Sequence, residues 1–195
     1  MNFMNYQFTS TQLIVGGIVL LIVVVIAVAA YMEHRKKRTL ALRTRFGSEY
    51  DRAVLTHGSS GAAESKLADR ATRVETLRLR DLGAVEHERF VTDWRTVQSH
   101  FVDHPKSSVT EADDLINALL EARGYPMAGF EQRAADVSVG YPRVMEEYRQ
   151  AHAIAVRFGK AEATTEELRT AMIQYRSVFD GLIEAQKPAE HKSAA

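Results

Sequence analysis

The sequence predicts an all-α protein, with one N-terminal transmembrane helix followed by a multi-helix soluble domain. Residues 13–31 form an apolar run, and no Asp, Glu, Lys or Arg occurs before Glu33. Beyond the run, apolar residues recur at spacings of three and four, which is typical of amphipathic helices. Alternating apolar patterns, which would indicate strands, are scarce.

The apolar run is long enough to cross a bilayer. Its 19 residues span about 28 Å at the helical rise of ~1.5 Å per residue, close to the ~30 Å of a hydrocarbon core. A buried core helix is the alternative, but a helix that is apolar on every face is hard to enclose in a domain of this size. We therefore predict a short N-terminal segment over residues 1–12 and a transmembrane helix over residues 13–32.

The charges after the run predict its orientation. Residues 33–45 contain six Lys or Arg against one acid, Glu33, whereas residues 1–12 contain none. Because basic segments stay on the cytoplasmic side of a membrane, we expect the N-terminus outside and the C-terminal domain in the cytoplasm. A cleaved signal peptide, with Ala27-Val28-Ala29 at its cleavage site, is the alternative and would leave the domain secreted or extracytoplasmic.

A basic cluster lies in the predicted juxtamembrane helix, residues 33–46, and consists of Arg35, Lys36, Lys37 and Arg38. It serves either as a topology signal alone or as a contact for anionic lipid headgroups. Membrane lipids are therefore predicted partners, through the span and this basic flank.

The rest of the chain is mildly acidic and contains no cysteine. Of the 25 Lys/Arg and 25 Asp/Glu residues, 19 and 24 lie after residue 45. An acidic body argues against nucleic-acid binding, which requires a basic face. The absence of cysteine excludes disulfide frameworks, thiol catalysis and Cys-based zinc sites.

One helical domain is expected over residues 47–186, and its helices are indicated by their ends. Gly47 ends one helix and Ser48 caps the next, which runs to Thr56, while residues 57–61 predict a hinge. Further helices are predicted over residues 62–81, 85–103, 107–123, 130–137 and 143–158, followed by one that begins at Thr164. Residues 187–195 are polar and are expected to form a disordered tail.

Two groups of side chains are candidates for partner contacts. Trp94 and Phe101 belong to a stripe on one helix face, which indicates either a core-facing surface or an aromatic binding groove. Tyr148 and His152 share a face four residues apart, so they line either a polar pocket or the edge of the core.

His100 and His104, with Asp103 nearby, form a weak candidate for a metal site. Two histidines four residues apart lie on one helix face, as in zinc-binding helices. Phe101 occupies the position where a zincin helix carries Glu, and no third ligand is indicated by spacing. No metal and no cofactor are therefore predicted.

Several short motifs are spread over most of the chain after Arg43. They are Phe46-Gly47, Glu49-Tyr50-Asp51-Arg52, Trp94, Gln98, Phe101-Val102-Asp103, Pro105, Arg123-Gly124-Tyr125-Pro126, Tyr148-Arg149, Ala151-His152, Thr165-Glu166, Leu168-Arg169 and Tyr175-Arg176. Through these motifs the chain resembles an uncharacterised family of bacterial single-span membrane proteins with a C-terminal helical domain and no assigned activity. The resemblance implies a folded domain and a bacterial source, and it assigns no catalytic residue.

Catalytic motifs of the common enzyme classes are missing from the sequence, including the P-loop, GxSxG and kinase signatures. We therefore predict a membrane-anchored protein-interaction or scaffold module at the cytoplasmic membrane face, with an unknown protein partner. The alternative is an enzyme or a small-ligand or metal binder with a pocket near His100, Asp103, His104 or His152. A homo-oligomer is a further open alternative.

Overall fold

The computed structural model describes residues 10–158 and 164–184, which form eight α-helices and one short 3-10 helix, with no strand among these residues. The predicted all-α fold is therefore confirmed. The predicted tail and most of the predicted N-terminal segment lie outside the described residues. The α-helices are α1 (Ser10–Phe46), α2 (Ser48–His57), α3 (Ser60–Glu75), α4 (Ala84–His100), α5 (Pro105–Ala122), α6 (Phe130–Gly140), α7 (Met145–Phe158) and α8 (Thr165–Glu184); the 3-10 helix is Pro142–Val144.

The chain forms two compact units, Met1–Thr44 and Arg45–Ala195. The first contains most of α1, in which residues 15–32 are all exposed. This helix is long and apolar enough to cross a membrane, and it is the one such helix among the described residues. The finding agrees with the predicted span.

The second unit is built around α5, α7 and α8. Helix α8 packs on both α5 and α7, and α4 also packs on α5. The apolar faces of these helices supply most of the main core, which includes the fully buried Ile116, Leu119 and Leu182. The spacing of apolar residues thus predicts the inward faces of these helices.

Helices α2 and α3 form a hairpin beside this bundle. Gly58 is left-handed, with φ 73°, and Ser59 caps α3 by accepting a hydrogen bond from the backbone N–H of Ala62. The predicted hinge is therefore reduced to two residues between helices. The hairpin packs within itself and against α6, while its buried apolar side chains, such as Tyr50 and Leu67, fall outside the main core cluster.

Several helix ends differ from those predicted, and three of the differences have a visible physical reason. Helix α3 ends at Glu75 rather than residue 81, because the backbone N–H of Arg80 donates to the carbonyl of Arg123 and residues 78–83 are not helical. Helix α4 ends at His100, before Pro105, and α5 begins at that proline. The predicted helix start at residue 107 is therefore wrong, since α5 begins at Pro105.

The corner after α5 is tightly packed. Gly124 is left-handed, with φ 90°, and a Cβ added there would lie 2.6 Å from the carbonyl oxygen of Arg78. The buried Arg123 side chain donates to the hydroxyl of Tyr141 and, over 3.2 Å, to the carbonyl of Leu182. The corner thereby connects the α3–α4 segment to the end of α8.

Candidate functional site

A polar cluster lies where α5, α7 and α8 meet, and its centre is the carboxylate of Asp113. Oδ1 of Asp113 accepts a 2.7 Å hydrogen bond from the hydroxyl of Tyr175 and lies 3.2 Å from Nδ1 of His152. Nδ2 of Asn117 donates to Oδ2 over 3.2 Å. One carboxylate on α5 therefore holds side chains of both neighbouring helices.

The cluster continues from Asn117 toward α6. The hydroxyl of Tyr148 donates to Oδ1 of Asn117 over 3.4 Å and accepts from Nε of Arg133 over 3.2 Å. Arg133 in turn donates to the carbonyl of Ala128 over 2.9 Å. Since Arg133 and Tyr148 are buried, this chain of hydrogen bonds fixes the packing of α5, α6 and α7.

The pKa values of the cluster follow from burial and these bonds. Burial alone would raise the pKa of the Asp113 carboxyl, but the hydrogen bonds from His152, Tyr175 and Asn117 outweigh it, so the pKa is lowered from its usual value. Burial, together with the nearby Asp113 charge, raises the pKa of Tyr175. Asp113 is therefore a carboxylate and Tyr175 a neutral donor at neutral pH.

The side chain of His152 is more exposed to solvent than that of Asp113, at 22% against 17%. Its ring stacks on Phe130 at a centroid distance of 3.7 Å, and the carboxylate of Asp113 requires Nδ1 to carry a proton. In the neutral imidazole this leaves Nε2 as the acceptor. An imidazole oriented by a carboxylate in this way can take up a proton or accept a hydrogen bond.

A second cluster of charges joins the α2–α3 hairpin to α7. Arg149 makes two hydrogen bonds to the carboxylate of Glu49, at 3.0 and 3.2 Å, and a third to Glu131 at 3.0 Å. Arg70 lies 3.7 Å from the same Glu49 carboxylate. Glu49 is only 3% exposed, so its carboxylate is bound by these arginines rather than by solvent.

A neighbouring pair joins α3 to α6. Nε of Arg73 lies 3.2 Å from Oδ1 of Asp136, which also accepts a 2.9 Å hydrogen bond from Gln132. Asp136 is fully buried. We call the contacts of Glu49 and Asp136 with their arginines the ionic seam, since together they connect the hairpin to α6 and α7.

The sequence-predicted partner contacts separate into two groups. Trp94 is 4% exposed and stacks on Phe179 at 4.9 Å, and Tyr148 is fully buried. Burial in the core corrects the expectation that these two side chains serve as surface anchors. Phe101 is partly buried against the core, and His152 remains partly exposed.

The weak metal candidate is corrected by the position of the helix end. Because α4 stops at His100 and His104 is the N-cap of α5, the two histidines do not lie on one helix face as predicted. Nδ1 of His100 lies 3.3 Å from Glu111, and Asp103 is exposed in the intervening turn. Among the described residues no group of three or more His, Asp or Glu side chains is placed to hold a metal ion.

Asp113, Tyr175, Glu49 and Asp136 were missed as site residues by sequence reasoning. A helix predicted to start at residue 107 makes Asp113 an early helix acid, whereas α5 begins at Pro105 and Asp113 lies in its interior. Tyr175 fits the apolar stripe of α8. One local signal existed for the cluster, the spacing of four between Asp113 and Asn117. The partners of Glu49 and Tyr175 lie 100 and 62 residues away, so local spacing could not identify them.

Comparisons of the chain with known protein families, with curated proteins and with solved structures find no match.

Proposed function

We propose that the protein is a single-span membrane protein of a bacterial cell membrane, whose helical domain binds a protein partner at the cytoplasmic face. The observation that supports this most is α1. Its residues 15–32 are apolar and exposed on every side, and the basic cluster follows directly. Exposing so much apolar surface to water is unfavourable, at about 25 cal/mol per Å², whereas a bilayer solvates it.

The orientation is tested by labelling, for which the absence of cysteine provides a clean background. We would introduce Asn5→Cys and, separately, Ser99→Cys, which lies on the exposed surface of α4. A membrane-impermeant maleimide is expected to label the first variant in intact cells and the second only after permeabilisation. The reverse pattern would place the domain outside the cytoplasm.

The partner contact is proposed at the turn between α4 and α5. Phe101 is partly buried there, and the adjacent Val102 is 82% exposed, so an apolar side chain faces solvent beside an aromatic ring. Aromatic residues are enriched at protein interfaces. A photoreactive amino acid at position 102 should crosslink one discrete partner in membranes, whereas one at Val85, an equally exposed apolar residue of α4, should not.

A second candidate function rests on the Asp113–His152 pair. A partly exposed imidazole that is oriented by a carboxylate is an arrangement found in general-base catalysis. If it acts in this way, the full-length protein should hydrolyse activated aryl esters, and His152→Ala should abolish that activity while His100→Ala retains it. Equal rates in the two variants would exclude this candidate.

A further inference from the structure

The basic cluster surrounds α1 rather than lining one face of it. Consecutive residues of an α-helix are separated by about 100° around the axis, so residues 35–38 cover most of the circumference. All four side chains are exposed. A flat partner that contacts one side of the helix would therefore meet only part of this charge.

The distance of the basic cluster from the apolar segment places it near the depth of the lipid headgroups. At a rise of ~1.5 Å per residue, Arg35 and Arg38 follow Tyr31 by about 6 and 10 Å along the helix axis. The headgroup region occupies roughly 5–8 Å on each side of the hydrocarbon core, and long basic side chains reach back toward it. Arg43 follows Tyr31 by about 18 Å and lies beyond that region.

The acid within this segment does not cancel the charge. Glu33 forms an ion pair with Lys37 at 3.4 Å, and both side chains are largely exposed. Exposed pairs of this kind are weak and exchange readily with other partners. Residues 33–38 keep an excess of positive charge, with four Lys or Arg against one acid.

We propose that the basic cluster binds the phosphates of anionic phospholipids and selects these lipids from the shell around α1. Lipids surround a transmembrane helix on all sides, so a ring of charge at headgroup depth matches them better than a protein surface. The inference rests on the proposed membrane span of α1. Each Lys or Arg near an anionic surface favours binding, and this corresponds to about a fivefold preference for an anionic over a neutral lipid at each contacted headgroup.

The test uses the full-length protein in phosphatidylcholine vesicles and compares electron-spin-resonance spectra of spin-labelled phosphatidylglycerol and phosphatidylcholine. The motionally restricted fraction of each label gives their relative association with the protein. We expect phosphatidylglycerol to be preferred severalfold, and the preference to fall in about 0.5 M salt, which screens charges beyond a few Å. Replacing all four cluster residues by Gln should abolish the preference.

Two control variants separate this proposal from a general charge effect. Exchanging Lys and Arg within the cluster keeps its charge and should keep the preference. Replacing four exposed arginines of the domain by Gln, at Arg89, Arg95, Arg169 and Arg176, should also keep it. Circular dichroism verifies that each variant remains helical.

Three outcomes would overturn the proposal. Equal association of the two lipids with the wild-type protein contradicts selection, and an unchanged preference in the Gln variant assigns it to other residues. Displacement of labelled phosphatidylglycerol by inorganic phosphate would indicate a general anion site instead. If neither lipid shows a restricted fraction, the membrane span is contradicted, and the proposed function with it. If both lipids are restricted equally, only the proposed lipid selection is contradicted.

Discussion

Tyr175 donates a 2.7 Å hydrogen bond to Oδ1 of Asp113, across the interface of α8 and α5. The tyrosine is fully buried and the carboxylate is mostly so. A charged acceptor that has lost most of its water depends on such donors, which makes this contact important for packing of the bundle.

Tyr175→Phe should destabilise the domain, because it removes a donor from a largely buried carboxylate. Hydrogen bonds to charged groups contribute about 1.5–3 kcal/mol, and we expect a loss in this range in urea unfolding of the full-length protein in detergent. In a double-mutant cycle with Asp113→Asn, the two losses should not add. Full additivity would mean that the two side chains act independently.

The lowered pKa of Asp113 predicts a dependence of stability on acid pH. Since the carboxylate is favoured in the folded state, its contribution is present above the unfolded value of about 3.8 and is lost as the pH falls through the lower folded pKa. The difference in unfolding free energy between the wild type and Asp113→Asn should therefore narrow below about pH 4. A constant difference between pH 7 and pH 2 would contradict this assignment.

Glu49→Gln should be more damaging than loss of an exposed acid. It leaves Arg149 and Arg70 without their shared carboxylate in a buried setting, and breaking a buried pair in this way costs about 3–5 kcal/mol. Asp69→Asn is the matched control, since Asp69 pairs with Lys66 at 3.9 Å and both are largely exposed; it should change stability by less than about 1 kcal/mol. Thermal unfolding of both variants gives the comparison, and similar midpoints would argue against a role for the ionic seam.

Alanine at three glycines should have graded effects on stability. Gly129→Ala meets open space at ordinary φ and should be close to neutral, whereas Gly58→Ala meets open space at φ 73° and should cost about 1–2 kcal/mol. Gly124→Ala combines φ 90° with a contact of 2.6 Å to the backbone of Arg78, so it should be the most damaging of the three. The same order is expected in urea midpoints, and a neutral Gly124→Ala would contradict the described corner.

Helix punctuation could be predicted where the signal is local. The predicted break at Gly47 separates α1 from α2, but Gly47 and not Ser48 is the N-cap of α2, and no side chain caps that helix. Gly124 follows α5 in the left-handed conformation. The last helix begins where it was predicted, because Thr164 and Glu167 form a capping box in which each donates a backbone hydrogen bond to the side chain of the other. These features depend only on residues three or four positions apart.

Features that depend on distant residues could not be predicted in the same way. The residues after Glu75 keep a helical pattern, yet α3 does not continue through them. The backbone N–H of Arg80 donates to the carbonyl of Arg123, and the Arg80 side chain donates to Glu86. Spacing placed Tyr148 and His152 on one face, but Asp113 and Phe130, which fix their positions, come from other helices. The sequence therefore predicts the pair of residues on α7 but not their partners on the other helices.

The ionic seam connects the α2–α3 hairpin to α6 and α7, while apolar burial in α2 and α3 is largely separate from the main core. Because the two groups of apolar side chains are separate, we expect the hairpin to open locally while α5, α7 and α8 stay packed. Amide hydrogens of α2 and α3 should consequently exchange with solvent faster than those of α5 and α8. The helices that follow α1 directly in the chain would then be the part of the domain most able to rearrange when a partner binds.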